Sequence, residues 1–145
     1  MKKQGLAILG STGSIGVQTL DIVRENPDLF EVVTLTANRN WELLARQAVE
    51  FDADSVVIAD ERFYTPLKEA LADSQIKVYA GENAVADVTA NSNVDTVVNA
   101  LVGYAGMIPT VRSIENGKKV ALANKESLVV GGETIMRMAM ERRAP

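Results

Sequence analysis

Three glycines, Gly10, Gly13 and Gly16, stand at three-residue spacing near the start of the chain, in the stretch GSTGSIG. The apolar run Leu6–Leu9 precedes them, and apolar residues at helical spacing follow. A turn between a strand and a helix lets the backbone approach a ligand closely, and the first N–H groups of the helix attract a phosphate. The spacing GxxGxxG departs from the usual GxGxxG and also occurs in plain tight turns. The pattern predicts a site for the pyrophosphate of a dinucleotide.

A second group of polar residues, Asn38-Arg39-Asn40, follows the next apolar run. Sites that prefer NAD usually carry an acid at the end of this strand, where it binds the ribose 2′-hydroxyl. Here the strand ends at Thr36-Ala37 without an acid, and a guanidinium comes next. A guanidinium suits the 2′-phosphate of NADP. The sequence therefore favours NADP, with a solvated loop charge as the alternative role of Arg39.

Two later loops also carry candidate residues. The first contains Gly103 and Gly106, which allow either a close backbone approach to a cofactor or a simple packing turn. The second contains Asn124, Lys125 and Glu126 directly after a short apolar run. An ammonium there can neutralise a phosphorylated or enolate-like substrate, and the amide and carboxylate can bind hydroxyl groups. A helix cap with a surface ion pair is the alternative.

The composition limits the chemistry of the chain. Its 145 residues, 47% of them hydrophobic, suit one globular domain with a sizeable core. The absence of cysteine and histidine excludes disulfides, cysteine nucleophiles and histidine bases within the chain. A net charge of −4 with dispersed basic residues argues against nucleic acid as a partner. With no long apolar run and no signal peptide, we expect a cytoplasmic protein that binds no membrane.

Strand-like and helical segments alternate along the whole chain. Since parallel strands need crossover connections, this order predicts an α/β fold: a Rossmann-like doubly wound parallel sheet with helices on both faces. The six predicted strands are Leu6–Leu9, Val32–Thr36, Ser55–Ile58, Lys77–Tyr79, Thr96–Asn99 and Lys119–Leu122.

Helix boundaries follow from capping residues. The clearest helix begins after Asn40 as N-cap and has an apolar stripe that we expect in the core, namely Trp41, Leu44, Ala45, Ala48 and Val49. Asn26-Pro27 is predicted to end the first helix, Asp60 to cap the third, and Asn116-Gly117 to end the helix before the last strand.

Taken together, four motifs resemble the N-terminal NADPH-binding domain of 1-deoxy-D-xylulose 5-phosphate reductoisomerases. They are GSTGSIG from Gly10, ANRN from Ala37, VGYAG from Val102 and ANKESL from Ala123, and the resemblance runs from end to end. It implies an enzyme that isomerises and reduces its sugar phosphate to 2-C-methyl-D-erythritol 4-phosphate in non-mevalonate isoprenoid biosynthesis. The implied cofactors are NADPH and a divalent metal, Mg or Mn.

The resemblance also assigns site residues. It implies NADPH contacts for Thr12, Gly13, Ser14, Ile15, Asn38, Arg39, Asn40, Asn124 and Glu126. Lys125 matches a position that contacts the sugar-phosphate substrate. Asn38 stands where members of the family often have glycine.

Members of this family continue beyond the matching region to an acidic metal-binding motif and a catalytic domain. This chain stops at Pro145, so we interpret residues 1–145 as the NADPH-binding domain, without metal ligands or a complete catalytic site. It is expected to bind NADPH without turnover, and the full-length enzyme to be a homodimer. The alternatives are a stand-alone NADPH-sensing module or another NADP-dependent reductase, although semialdehyde dehydrogenases need a cysteine that is absent here.

Replacing Arg39 with glutamate tests the proposed preference for NADP. A charge-assisted hydrogen bond contributes about 1.5–3 kcal/mol, so R39E is expected to weaken NADPH binding by about tenfold or more. NADH, which lacks the 2′-phosphate, serves as the control ligand in the same calorimetric titration. Unchanged affinity for NADPH would show that Arg39 is only a solvated charge.

Overall fold

The computed structural model describes residues 3–101 and 107–122. These residues form one six-stranded sheet in the order β4-β3-β2-β1-β5-β6, and every neighbouring pair is parallel. The strands are β1 Gln4–Leu9, β2 Phe30–Ala37, β3 Ser55–Ile58, β4 Lys77–Ala80, β5 Thr96–Asn99 and β6 Lys119–Leu122.

The helices are α1 Ser14–Glu25, α2 Trp41–Glu50, α3 Tyr64–Ala70, α4 Glu82–Asp87 and α5 Met107–Glu115. Short 3₁₀ turns at Glu61–Phe63 and Val88–Ala90 precede α3 and follow α4. In the part of the chain that the structure describes, no helix has the length and apolar character needed to cross a bilayer.

Side chains of the strands alternate between two hydrophobic clusters, one on each face of the sheet. Leu6 and Ile8 of β1 belong to the larger cluster, which includes buried residues of α1, α2 and α3. Ala7 and Leu9 belong to the smaller one, together with Val85 of α4. Helices therefore cover both faces, and the predicted doubly wound α/β sheet is confirmed. The strands read as continuous apolar runs because both of their faces are buried.

All six predicted strands are present, with β1, β2 and β4 extending one or more residues beyond the predicted ends. Strand β2 carries one irregularity: Leu6 pairs with Val32 and Ala7 with Thr34, so Val33 is an extra residue opposite β1. Such a bulge locally increases the twist of a strand.

The predicted ends of α1, α2 and α5 are confirmed, whereas Asp60 caps the 3₁₀ turn and not α3, whose N-cap is Phe63. Asn40 Oδ1 accepts the Leu43 N–H at 3.2 Å, and Asp60 Oδ1 accepts the Arg62 N–H at 3.1 Å at the start of the 3₁₀ turn before α3. Helix α1 ends before Asn26, whose Nδ2 donates to the Ile22 carbonyl. Gly117, with a φ of +71°, follows α5 and lets the Lys118 N–H return to the Ser113 carbonyl.

One core prediction is wrong. Leu44, Ala45 and Ala48 of α2 are buried and Trp41 packs against the same cluster, but the side chain of Val49 is 62% exposed. Val49 lies in the last turn of α2, at the margin of the apolar stripe. The buried arc of the helix extends instead to the opposite margin, where Gln47 is only 6% exposed.

The strand order places a topological switch beside β1. From β1 the chain adds β2, β3 and β4 successively in one direction, then crosses to β5 on the other side of β1. The crossovers on the two sides of β1 therefore leave a crevice at the carboxyl ends of β1 and β5, where ligands of such sheets bind. The GSTGSIG turn begins there, directly after Leu9.

Replacing Gly5 with alanine tests the packing of β1. A Cβ at this position would overlap the Asn93 carbonyl oxygen and lie 3.0 Å from Val33 Cγ2. Since this clash is with backbone, we expect G5A to lower the free energy of unfolding by about 3 kcal/mol. G117A is the control, because its Cβ would meet nothing within 4 Å and only the positive φ costs about 1 kcal/mol. Equal midpoints in urea denaturation would contradict this packing.

Candidate nucleotide-binding site

The three glycines of the GSTGSIG turn have different structural roles. Gly10 has a φ of +81°, which turns the chain sharply after β1. A Cβ on Gly16 would overlap the Gly10 carbonyl oxygen and lie 2.6 Å from Ser11 Cα, so only glycine lets α1 pack this closely behind the turn. Gly13 is exposed, and a Cβ added to it would lie 3.7 Å from its nearest neighbour, the Gly10 carbonyl oxygen. The first and third glycines therefore shape the turn, and the second leaves space in front of it.

The N-terminus of α1 faces this open space. Gly13 is the N-cap, and among the described residues no side chain caps the helix and no acid occupies its first turn. The N–H groups of the first helical residues, beginning with Ser14 and Ile15, have no acceptor within the helix. Together with the positive end of the helix dipole, they form a site for an anion such as a phosphate.

Hydrogen bonds to two other elements hold the turn in place. The Ser11 N–H donates to the Thr36 carbonyl of β2 at 2.8 Å, and the Gly10 N–H donates to Thr36 Oγ1 at 3.1 Å. From α2, Gln47 Nε2 donates to the Ser11 carbonyl at 3.0 Å and its Oε1 accepts the Ser11 hydroxyl at 2.7 Å. Both Ser11 and Gln47 are buried. These bonds fix the turn before any ligand arrives.

Sequence reasoning missed Gln47. A glutamine next to an apolar stripe ordinarily faces solvent, and nothing in its local sequence shows that a buried serine lies opposite. The signal that could have identified it is Ser11 itself, a hydroxyl in a turn flanked by buried elements. Buried hydroxyl groups need hydrogen-bond partners, which neighbouring helices can supply.

The structure brings the residues predicted in the glycine turn to one surface. Gly13 and Ser14 are exposed, and Thr12 and Ile15 are half-buried. All four lie at or immediately before the first turn of α1. Their roles as NADPH contacts stay predictions, and their placement around an open helix N-terminus agrees with that assignment.

The second predicted group, Asn38, Arg39 and Asn40, lies between β2 and α2 and is exposed. Asn40 Oδ1 is engaged as the cap of α2, which leaves its amide nitrogen for other partners. The φ angle of Asn38 is negative; among the described non-glycine residues, only Asp52 has a positive φ. An asparagine in place of glycine therefore causes no backbone strain here.

Arg39 lies beside two further charged residues, Asp60 and Arg62, at the end of β3. Arg39 Nε is 3.4 Å from Asp60 Oδ2, while Arg62 Nη2 is 2.6 Å from the same oxygen. Hydrogen bonds from the Arg62 side chain, supported by its backbone N–H and by the positive charges of both arginines, lower the pKa of Asp60 to about 2 despite partial burial. The carboxylate is therefore ionised at neutral pH. Sequence reasoning identified neither Asp60 as a partner of Arg39 nor Arg62 as part of the site.

The far side of the crevice is formed by the residues after β5. A Cβ on Gly10 would lie 3.2 Å from Leu101 Cδ2 and 3.3 Å from the Ala100 carbonyl, so the two loops are in contact. The Leu101 N–H donates to Asn99 Oδ1 at 3.0 Å. Strand β6 ends at Leu122, in register with Asn99 at the same edge of the sheet.

Several predicted residues lie outside the described residues. They are Gly103, Gly106, Asn124, Lys125 and Glu126.

An open helix N-terminus behind a glycine turn, at the switch point of a doubly wound parallel sheet, defines a Rossmann-like nucleotide-binding domain. The sequence profile of a family described as 1-deoxy-D-xylulose 5-phosphate reductoisomerase matches residues 6–132. The chain belongs to this family.

Similar proteins agree with that membership. A 1-deoxy-D-xylulose 5-phosphate reductoisomerase of Porphyromonas gingivalis is 55% identical over 143 residues, which are 99% of this chain and 37% of the relative. The solved structure of the Zymomonas mobilis reductoisomerase in complex with NADPH has a TM-score of 0.80 and 42% identity, covering 97% of this chain and 37% of that one. A reductoisomerase in complex with NADPH, fosmidomycin and magnesium has a TM-score of 0.79 and 35% identity, covering 96% of this chain and 34% of that one. The chain thus spans little more than a third of the length of these relatives.

Replacing Gln47 with alanine tests the anchoring of the turn by α2. The change leaves the buried hydroxyl and carbonyl of Ser11 without their partner, so we expect the free energy of unfolding to fall by about 2 kcal/mol. We also expect weaker NADPH binding, because the turn loses its attachment to α2. Gln75 is exposed, and Q75A is the matched control for both chemical denaturation and titration. If the two variants behaved alike, Gln47 would have no role in holding the turn.

Proposed function

We propose that this chain is the NADPH-binding domain of an enzyme that isomerises and reduces 1-deoxy-D-xylulose 5-phosphate to 2-C-methyl-D-erythritol 4-phosphate in non-mevalonate isoprenoid biosynthesis. The observation that carries the proposal is the GSTGSIG turn, which leaves the N-terminus of α1 uncapped at the crevice between β1 and β5 in a chain of this family. Its solved relatives include a complex with NADPH. The enzyme is accordingly an NADPH-dependent oxidoreductase.

The proposed binding mode follows from the geometry of the site. The pyrophosphate lies over the first turn of α1 and contacts Thr12, Gly13, Ser14 and Ile15, because the N–H groups and the open face of the turn meet there. The adenosine end extends towards Asn38, Arg39 and Asn40, at the adjacent end of β2. The nicotinamide end extends towards the β5 and β6 side of the crevice, where the proposal includes Asn124 and Glu126 as further contacts.

The remaining functions depend on residues outside the described ranges. Within these ranges, no group of three or more histidine, aspartate or glutamate side chains is arranged to hold a metal ion. A relative was solved with magnesium, and the proposal includes a divalent metal, Mg or Mn, bound by the full-length enzyme. It also includes Lys125 as a contact to the sugar-phosphate substrate, a homodimeric full-length enzyme and a cytoplasmic location.

A calorimetric titration of the 145-residue chain with NADPH and then NADH tests the cofactor assignment. We expect NADPH to bind at least about tenfold more tightly, because the 2′-phosphate adds a charge-assisted contact. A chelator is expected to leave this binding unchanged, since no metal takes part in it. A folded chain that binds neither nucleotide, or binds both equally, would contradict the assignment.

A further inference from the structure

Arg39, Asp60 and Arg62, here called the Asp60 cluster, lie together at the carboxyl ends of β2 and β3. Arg62 binds the carboxylate through three groups: Nη2 to Oδ2 at 2.6 Å, Nε to Oδ1 at 3.0 Å and its backbone N–H to Oδ1 at 3.1 Å. A bidentate arrangement of this kind is the strongest that a guanidinium makes with a carboxylate. The negative charge of Asp60 is therefore largely compensated by Arg62.

Arg39 is bound much more loosely. Among the described residues its side chain makes one ion pair, which joins Nε to Asp60 Oδ2 at 3.4 Å. Its side chain is 67% exposed, against 14% for Asp60. The ion pair uses Nε, which leaves the two terminal nitrogens of the guanidinium for another anion. Arg39 thus lies close to Asp60, but a single long ion pair is the contact that joins their side chains.

The position of Asp60 makes its charge important for cofactor choice. The Asp60 N–H donates to the Asn38 carbonyl at 3.0 Å, which fixes the residue beside the end of β2. In folds of this class, an acid at the end of β2 binds the 2′-hydroxyl of NAD and disfavours a 2′-phosphate. Asp60 brings an acid to the same edge from the neighbouring strand. An uncompensated carboxylate there would repel the 2′-phosphate and weaken the binding of NADPH.

Other carboxylates near Asp60 add to the negative charge that Arg62 has to compensate. Three more carboxylates, those of Glu61, Glu82 and Asp87, line the groove that continues from Asp60 along the ends of β3 and β4. Asp87 has a partner in Arg112, whose Nη1 is 3.4 Å away. The surface that continues from Asp60 along the ends of β3 and β4 is therefore rich in negative charge.

We propose that Arg62 is a specificity-determining residue: by neutralising Asp60, it keeps Arg39 available for a phosphorylated ribose. This inference rests on the proposed function, in which NADPH is the cofactor. Arg62 is a positioning residue, since it acts through Asp60 and not by touching the nucleotide. Without Arg62, the Asp60 carboxylate takes Arg39 as its partner and adds a negative charge next to the 2′-phosphate.

Titrations of four variants with NADPH and NADH test the inference. We expect R62Q to weaken NADPH binding by about tenfold and to leave NADH binding within about twofold of the original chain. The double variant R62Q/D60N is expected to recover most of the lost NADPH affinity, because a neutral amide neither captures Arg39 nor repels phosphate. D60N alone is expected to change little. R24Q is the control, since it removes another exposed arginine that pairs with two acids, Asp21 of α1 and Glu50 of α2.

The outcomes separate the inference from the proposed function. If the original chain shows no preference for NADPH, the proposed cofactor is wrong and the inference fails with it. If that preference exists and R62Q retains it, only the inference is overturned. Loss of NADPH affinity without recovery in R62Q/D60N would mean that Arg62 binds the phosphate itself, which also contradicts a positioning role. Equal losses for NADPH and NADH, or a lowered melting temperature in R62Q relative to R24Q, would indicate a general structural effect and overturn the proposal.

Discussion

The close approach of helix α1 to the turn that precedes it is the constraint on which the site depends. Gly16 lies so near to Gly10 and Ser11 that a single added carbon would overlap the backbone. Because α1 begins directly behind the turn, its first N–H groups lie next to the open space at Gly13. The hydrogen bonds of Ser11 to Thr36 and Gln47 keep the arrangement fixed, so a nucleotide meets a site that is already formed.

The topology of the sheet determines what surrounds that helix end. Because the chain builds β2, β3 and β4 on one side of β1 and β5 and β6 on the other, the loops after the strands diverge at β1. The ends of β2 and β3 carry the charged Asp60 cluster on one side. On the other side, the apolar residues Ala100 and Leu101 follow β5. An elongated dinucleotide bound at this point can contact both sides.

Much of the fold could be predicted from the sequence because its signals are local. Doubly buried parallel strands are continuous apolar runs, and Asn26, Asn40 and Gly117 mark helix ends through their own backbone or side-chain chemistry. The glycine turn is likewise recognisable from its own residues. What could not be predicted depends on contacts between distant elements. The partner of Ser11 is 36 residues away, the bulge at Val33 arises from pairing with β1, and the buried arc of α2 is set by its neighbours, which leaves Val49 exposed.

The Asp60 cluster also depends on contacts between distant elements and could not be predicted from the sequence. It differs from the glycine turn in its effect on stability. Ser11 of the turn is buried and hydrogen-bonded to β2 and α2, so changes in it affect folding as well as binding. Arg39 and Arg62 are mostly exposed, and exposed ion pairs contribute little to stability. Residues of this kind can change the charge that a ribose meets without disturbing the core. In the proposed function, pyrophosphate binding then depends on the fold of the turn, whereas the choice between nucleotides depends on the charges at the ends of β2 and β3.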